Sequence, residues 1–250
     1  MRKRLLGVMI IALSLFSINV KADAYYKNEN GLELTEFQYK VLVDMFSEEK
    51  IEEFTEEDYD ALHVERMIEG KYKYKVEEFE APEESYPGGL VPYVFHETPS
   101  KKLTMAVFDH GDSCTISLTV SWKKSPVVAS YDVIGIRVAN SMIYDDTNSF
   151  DAKMDGKVTT SYARAVKTEL GLADVFKITN GISYASLDTR VRKTNNGVVY
   201  GSYQHATKAI TLTNASNFTF AGTGYGSVFL WPSSIKGTYD NMSGVYDTLY

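Results

Sequence analysis

The chain has 250 residues, 44% of them hydrophobic and 24% charged, with a formal net charge of −7. That length allows a full hydrophobic core, and the acidic balance excludes nucleic acid as a default partner. A single cysteine, Cys114, excludes an intramolecular disulfide, so the core has to hold the fold.

Residues 1–24 read as a secretory signal. Arg2, Lys3 and Arg4 form a basic start, Leu5 to Val20 is apolar, and Ala22-Asp23-Ala24 offers a small-x-small cleavage site. The apolar run is about 16 residues, short of the ~20 a spanning helix needs. The expectation is a secreted, extracellular chain with no stable membrane span after cleavage.

Residues 25–80 form an acidic segment. From 25 to 84 there are 19 Asp/Glu and 7 Lys/Arg, whereas 85 to 250 carry 13 and 15. Two helix starts share one grammar: Leu34-Thr-Glu-Phe-Gln38 and Phe54-Thr-Glu-Glu-Asp58. In each, a Thr caps the helix and a side chain three residues on caps in return, while Leu34 and Phe54 staple against Tyr39 and Tyr59. Ser47 offers a further cap between them. Two or three short helices are expected, then a strand over Lys71 to Val76. The Pro/Gly-rich stretch 81–98, with Pro82, Pro87, Gly88, Gly89 and Pro92, is the expected linker.

Residues 99–250 read as β. Leu103 to Phe108 is a short apolar strand. In Cys114 to Trp122, Ile116, Leu118, Val120 and Trp122 alternate with Thr115, Ser117, Thr119 and Ser121, a core face backed by a hydroxyl face. After Pro126, Tyr131 to Val138 repeats the alternation, and the two runs read as antiparallel neighbours. Asp145 to Gly156 reads as a polar turn region, Val158 to Tyr162 as strand, and Tyr162 to Leu170 as ambiguous. Further strands are expected at Ile182 to Arg192, Val198 to Tyr203, Ile210 to Leu212, Phe218 to Phe220 and Val228 to Trp231. Asn195-Asn-Gly197 is a hairpin signal between two of these. The fold class is therefore α+β: a small acidic helical segment followed by an antiparallel β-sandwich.

Three passages carry a resemblance. They are Leu34 to Tyr59, Ser121-Trp-Lys-Lys124 with Tyr131-Asp-Val-Ile-Gly135, and Val199-Tyr-Gly-Ser-Tyr-Gln-His-Ala206. Together they resemble a group of secreted proteins of Gram-positive bacteria with no assigned activity. The resemblance spans most of the chain beyond residue 24 and implies a location and an architecture.

Candidate chemistry is sparse. Gly111-Asp112-Ser113 superficially resembles the nucleophile block of the GDSL esterases, but only His205 lies downstream, with Ser202 where an Asp would be needed. An alternating strand follows Ser113, not the helix that such an elbow opens. Cys114 with His205 is the other nucleophile–base pair, so a secreted hydrolase using Ser113 or Cys114 with His205 is the alternative reading. The four histidines lack zinc-site spacing, and Asp145 to Asp151 lacks the spaced ligands of a Ca²⁺ loop. No metal and no cofactor is expected. What remains is aromatic and polar: Tyr203, Gln204, His205, Tyr225 and Trp231, residue types that bind sugars through ring faces and amides. The leading expectation is a non-enzymatic binding or interaction module for an extracellular carbohydrate or protein.

Overall fold

Capping chemistry starts the helices of the acidic segment. The computed structural model describes residues 25–62, 64, 95–141, 143, 148–161, 171–194, 197–221 and 227–248. The signal, the strand expected at Lys71 to Val76, most of the linker and Tyr162 to Leu170 lie outside these residues. A small hairpin of β1 (Tyr26–Lys27) and β2 (Glu33–Leu34) leads into α1 (Glu36–Met45), α2 (Glu48–Glu52) and α3 (Glu56–Ala61). Thr35 and Gln38 close a capping box on α1, Thr55 and Asp58 close one on α3, and Ser47 caps α2. All three caps are those expected from the sequence.

The strands are β3 (Phe95–Glu97), β4 (Lys101–Asp109), β5 (Ser113–Trp122), β6 (Tyr131–Ala139), β7 (Ser149–Met154), β8 (Lys157–Ser161) and β9 (Gly171–Lys177). They continue with β10 (Ile182–Arg192), β11 (Val198–Ala206), β12 (Thr219–Phe220), β13 (Phe229–Leu230) and β14 (Tyr239–Thr248). Two short helices, α4 (Leu212–Ala215) and α5 (Ser233–Lys236), interrupt the C-terminal part. A six-stranded sheet runs β3-β4-β5-β10-β7-β8 and a four-stranded sheet runs β14-β11-β6-β9, all pairs antiparallel.

The alternating apolar sets meet between the sheets. Leu103, Ile116, Leu118, Val120 and Leu187 face Ile134, Ile136, Leu172, Val199 and Tyr203 across the core. The sheets approach closely at Gly201, where an added Cβ would lie 2.5 Å from Leu118 Cδ1. This is a β-sandwich, reached by connections the sequence misreads. β5 and β6 belong to different sheets, so they face each other across the core and are not ladder neighbours. The same correction applies to β10 and β11: the Gly197 turn carries the chain between sheets and makes no hairpin. Turn residues mark a reversal, but they do not say whether the chain pairs with itself or crosses the core.

Two local expectations also change. Ile210 to Leu212 is not a strand, because Thr211 accepts from Asn214 N and caps α4. Part of the expected turn region 145–156 is strand β7, with Phe150 and Ala152 in the core and Asp151 on the other face.

The helical segment packs on the outer face of the six-stranded sheet. Leu42, Met45, Phe46, Ile51, Phe54 and Leu62 form one buried cluster with Ala106 and Phe108 of β4 and Tyr184 of β10. Burying each large side chain here stabilises the fold by roughly 1.5–3 kcal/mol. On the same sheet face the hydroxyls of β5 are buried. Thr119 Oγ1 lies 2.9 Å from Ser186 Oγ, and Ser186 Oγ donates to Asp188 Oδ2 at 3.2 Å. Ser117 joins this network, with Asp151 opposite Ser186 in the ladder.

Burial pushes the Asp188 carboxyl up to about 7 from its ordinary 3.8, against the hydrogen bond from Ser117 and with the Asp151 charge adding to the rise. Between those two values the folded chain keeps a proton that the unfolded chain has lost. The contribution is therefore full below pH ~3.8 and is lost as pH rises through about 7, a change of about 4 kcal/mol. Asp188→Asn should remove that slope. In urea titrations, the variant's stability relative to wild type should rise by this amount between about pH 4 and about pH 8.

Candidate functional site

One end of the sandwich gathers polar groups inside the core. β4 begins at Lys101 and β5 ends at Trp122, and the two residues are ladder partners. Across the core, β6 starts near Asp132, β11 ends near His205, and β14 starts near Asp240. Strand alternation points Asp132, Tyr203, His205 and Asp240 inward, in phase with Ile134, Val199 and Met242.

Asp132 is fully buried and satisfied by three groups. The Tyr203 hydroxyl donates to its carboxylate, Ala206 N–H donates to Oδ1 at 2.9 Å, and His205 Nδ1 lies 3.0 Å from Oδ2. Burial first, then the Asp132 charge, raises the Tyr203 phenol well above its ordinary value, so it remains a neutral donor. Trp122 stands edge-on to His205, with ring centroids 4.9 Å apart at 80°, and to Tyr203 at 6.3 Å. Lys101 Nζ sits 5.3 Å from the Trp122 ring centroid and is in direct contact with the Asp240 carboxylate. The Lys101 side chain is only 2% exposed, whereas that of Asp240 is 45% exposed.

The residues singled out from the sequence are divided by this geometry. Tyr203 and His205 are inside, in the cluster just described. Gln204 points to the opposite face, where its Nε2 donates to Ser227 Oγ at 3.1 Å. Trp231 lies on that outer face too, half-buried and stacked on Tyr239 with centroids 4.5 Å apart and planes at 23°. Phe218 packs edge-on to Trp231 at 5.4 Å, and Phe229 belongs to the same cluster. Tyr225 is outside the described residues.

The hydrolase pairing does not form. Ser113 Oγ accepts from Arg190 Nε at 2.7 Å, and Cys114 is 1% exposed in the core. Both open β5, whereas His205 packs on Trp122 at its other end. At about 3.3 Å per residue, Cys114 and Trp122 are roughly 26 Å apart along the strand. Neither nucleophile can reach that imidazole. Among the described residues there is also no group of three metal-ligating side chains.

No family model matches the chain, and no curated protein matches it either. Solved structures similar to it include the collagen-binding subdomain ACE19 of the Enterococcus faecalis surface protein ACE. There the identity is 13% and the TM-score 0.32, over 48% of this chain and 88% of that one. The collagen-binding domain of a Staphylococcus aureus adhesin is similar at 12% identity and TM-score 0.31, over 53% and 87%. The collagen-binding domain of the Erysipelothrix rhusiopathiae surface protein RspB is similar at 10% and 0.33, over 63% and 48%. Among the described residues no helix is long and apolar enough to cross a membrane.

Lys101, Asp132 and Asp240 are functional candidates that sequence reasoning passed over. A signal for two of them exists. Lys101 is in phase with core residues Leu103, Met105 and Val107, and Asp132 with Ile134, Ile136 and Val138. A charge on the apolar phase of a strand is a buried charge, and a buried charge needs a partner.

Proposed function

We propose that this chain is a secreted, non-enzymatic binding or interaction module whose ligand is an extracellular carbohydrate or protein surface. The observation that carries the reading is the aromatic cluster outside the four-stranded sheet. There Trp231 is half-buried and held flat against Tyr239, with Leu230 beside it 55% exposed. A rigid ring face with an exposed apolar neighbour loses little conformational entropy on binding, and it suits both sugar C–H faces and protein surfaces. The position of Ser113 and Cys114, at the opposite end of β5 from His205, supports the same reading from the other side. Its ring is instead held by Asp132 and Trp122.

The test is binding of the purified mature protein to glycan arrays and to host and cell-wall protein fractions. Trp231→Ala should weaken the interaction at least about tenfold while leaving the circular dichroism spectrum unchanged. Binding to no member of either panel, or full affinity in the Trp231 variant, would overturn the proposal.

A further inference from the structure

We propose that Lys101 and Asp240 are joined by an amide bond between their side chains, a covalent tie between the first long strand of the sandwich and its last. The observation is a mismatch between donors and acceptors. A lysine ammonium carries three N–H donors and no acceptor. Lys101 is buried, yet among the described residues Asp240 is the one hydrogen-bond acceptor at its Nζ. Leaving an ammonium in this position with a single partner is costly, because desolvation is only partly offset by one ion pair. An amide needs one acceptor for one N–H and carries no charge.

The surroundings suit the reaction. Trp122 covers one side of Nζ and keeps the amine from swinging away. β4 and β14 belong to different sheets, so no ladder bond does what this link would do. The condensation balances without any co-reactant. A proton passes from the Lys101 ammonium to the Asp240 carboxylate with which it is in contact. The freed Nζ lone pair attacks Asp240 Cγ and forms the C–N bond. A second Nζ proton goes to the leaving hydroxyl, the C–O bond breaks, and water departs. His205 lies directly opposite Asp240 in the ladder, with its ring held by Asp132, and is placed to relay that proton.

The test is the intact mass of the full mature chain after denaturation. The wild type should fall short of its sequence mass by one water, and a proteolytic digest should contain a branched peptide joining the Lys101 and Asp240 segments. Lys101→Arg keeps the charge but not the nucleophilic amine, and should have the full sequence mass; Asp240→Ala, which removes the acyl group, should as well. A wild-type chain at full sequence mass, or a water lost with the branch at any other pair, overturns the proposal. Because the wild-type measurement alone decides, poor folding of either variant does not shelter it.

Discussion

Lys101→Arg should lower the thermal midpoint by about 10–20 °C, the largest effect expected from any conservative change in this chain. The size follows from the position of the two residues. They are 139 apart in sequence, so a covalent link between them closes most of the sandwich into one loop. The chain-entropy relation for cross-links gives about 5 kcal/mol for a loop of that length, because the unfolded ensemble is what the link restricts. Arginine places a positive charge beside Asp240 and keeps most of the buried stem, so an ion pair takes the place of the amide and the shift reports the loss of the covalent bond. Scanning calorimetry of both proteins at one pH gives the comparison. A fall of only about 1–2 °C would mean that an ordinary, half-exposed ion pair is all that joins the strands.

Local chemistry made part of this fold readable. Thr35 with Gln38 and Thr55 with Asp58 specify helix starts within four residues each, and the structure forms both boxes. The alternation from Cys114 to Trp122 likewise specifies which side chains of β5 enter the core. Sheet membership was not readable, because both faces of β5 are buried. Ser117 and Thr119, which read as an outer hydroxyl surface, are 0% exposed. Their partner Ser186 is far away in the sequence, and no local pattern announces it. The site shows the same division. Aromatic density drew attention to Tyr203 and His205. What holds them is Asp132, 71 and 73 residues away, and it was visible only as a carboxylate out of place on an apolar phase. Treating Tyr203, Gln204 and His205 as one patch also overlooked the period of two, which sends Gln204 to the opposite face.

Asp58→Ala should detach the helical segment from the sandwich without unfolding the sandwich itself. Asp58 is fully buried and serves both sides of the junction. Within the segment, its Oδ2 accepts from Thr55 N–H at 2.9 Å and closes the α3 capping box. Toward the sheet, Oδ2 accepts from Lys153 Nζ at 2.6 Å and Oδ1 from the Tyr184 hydroxyl at 3.2 Å. Burial, with the Asp58 charge adding to it, holds the Tyr184 phenol far above its ordinary value, so the tyrosine stays a donor in this bond. Truncation therefore removes a cap, strands a mostly buried ammonium and leaves a buried phenol unpaired, together costing about 4–6 kcal/mol. That cost falls on one interface, because the inter-sheet core contains none of these groups. Hydrogen exchange should show amides of α1 to α3 losing protection by several orders of magnitude while those of β5, β6 and β11 keep theirs. Equal loss in both regions would mean that the segment and the sandwich unfold as a single unit. Unchanged protection in the helices would mean that Phe46, Phe54 and Leu62 alone hold the segment on the sheet.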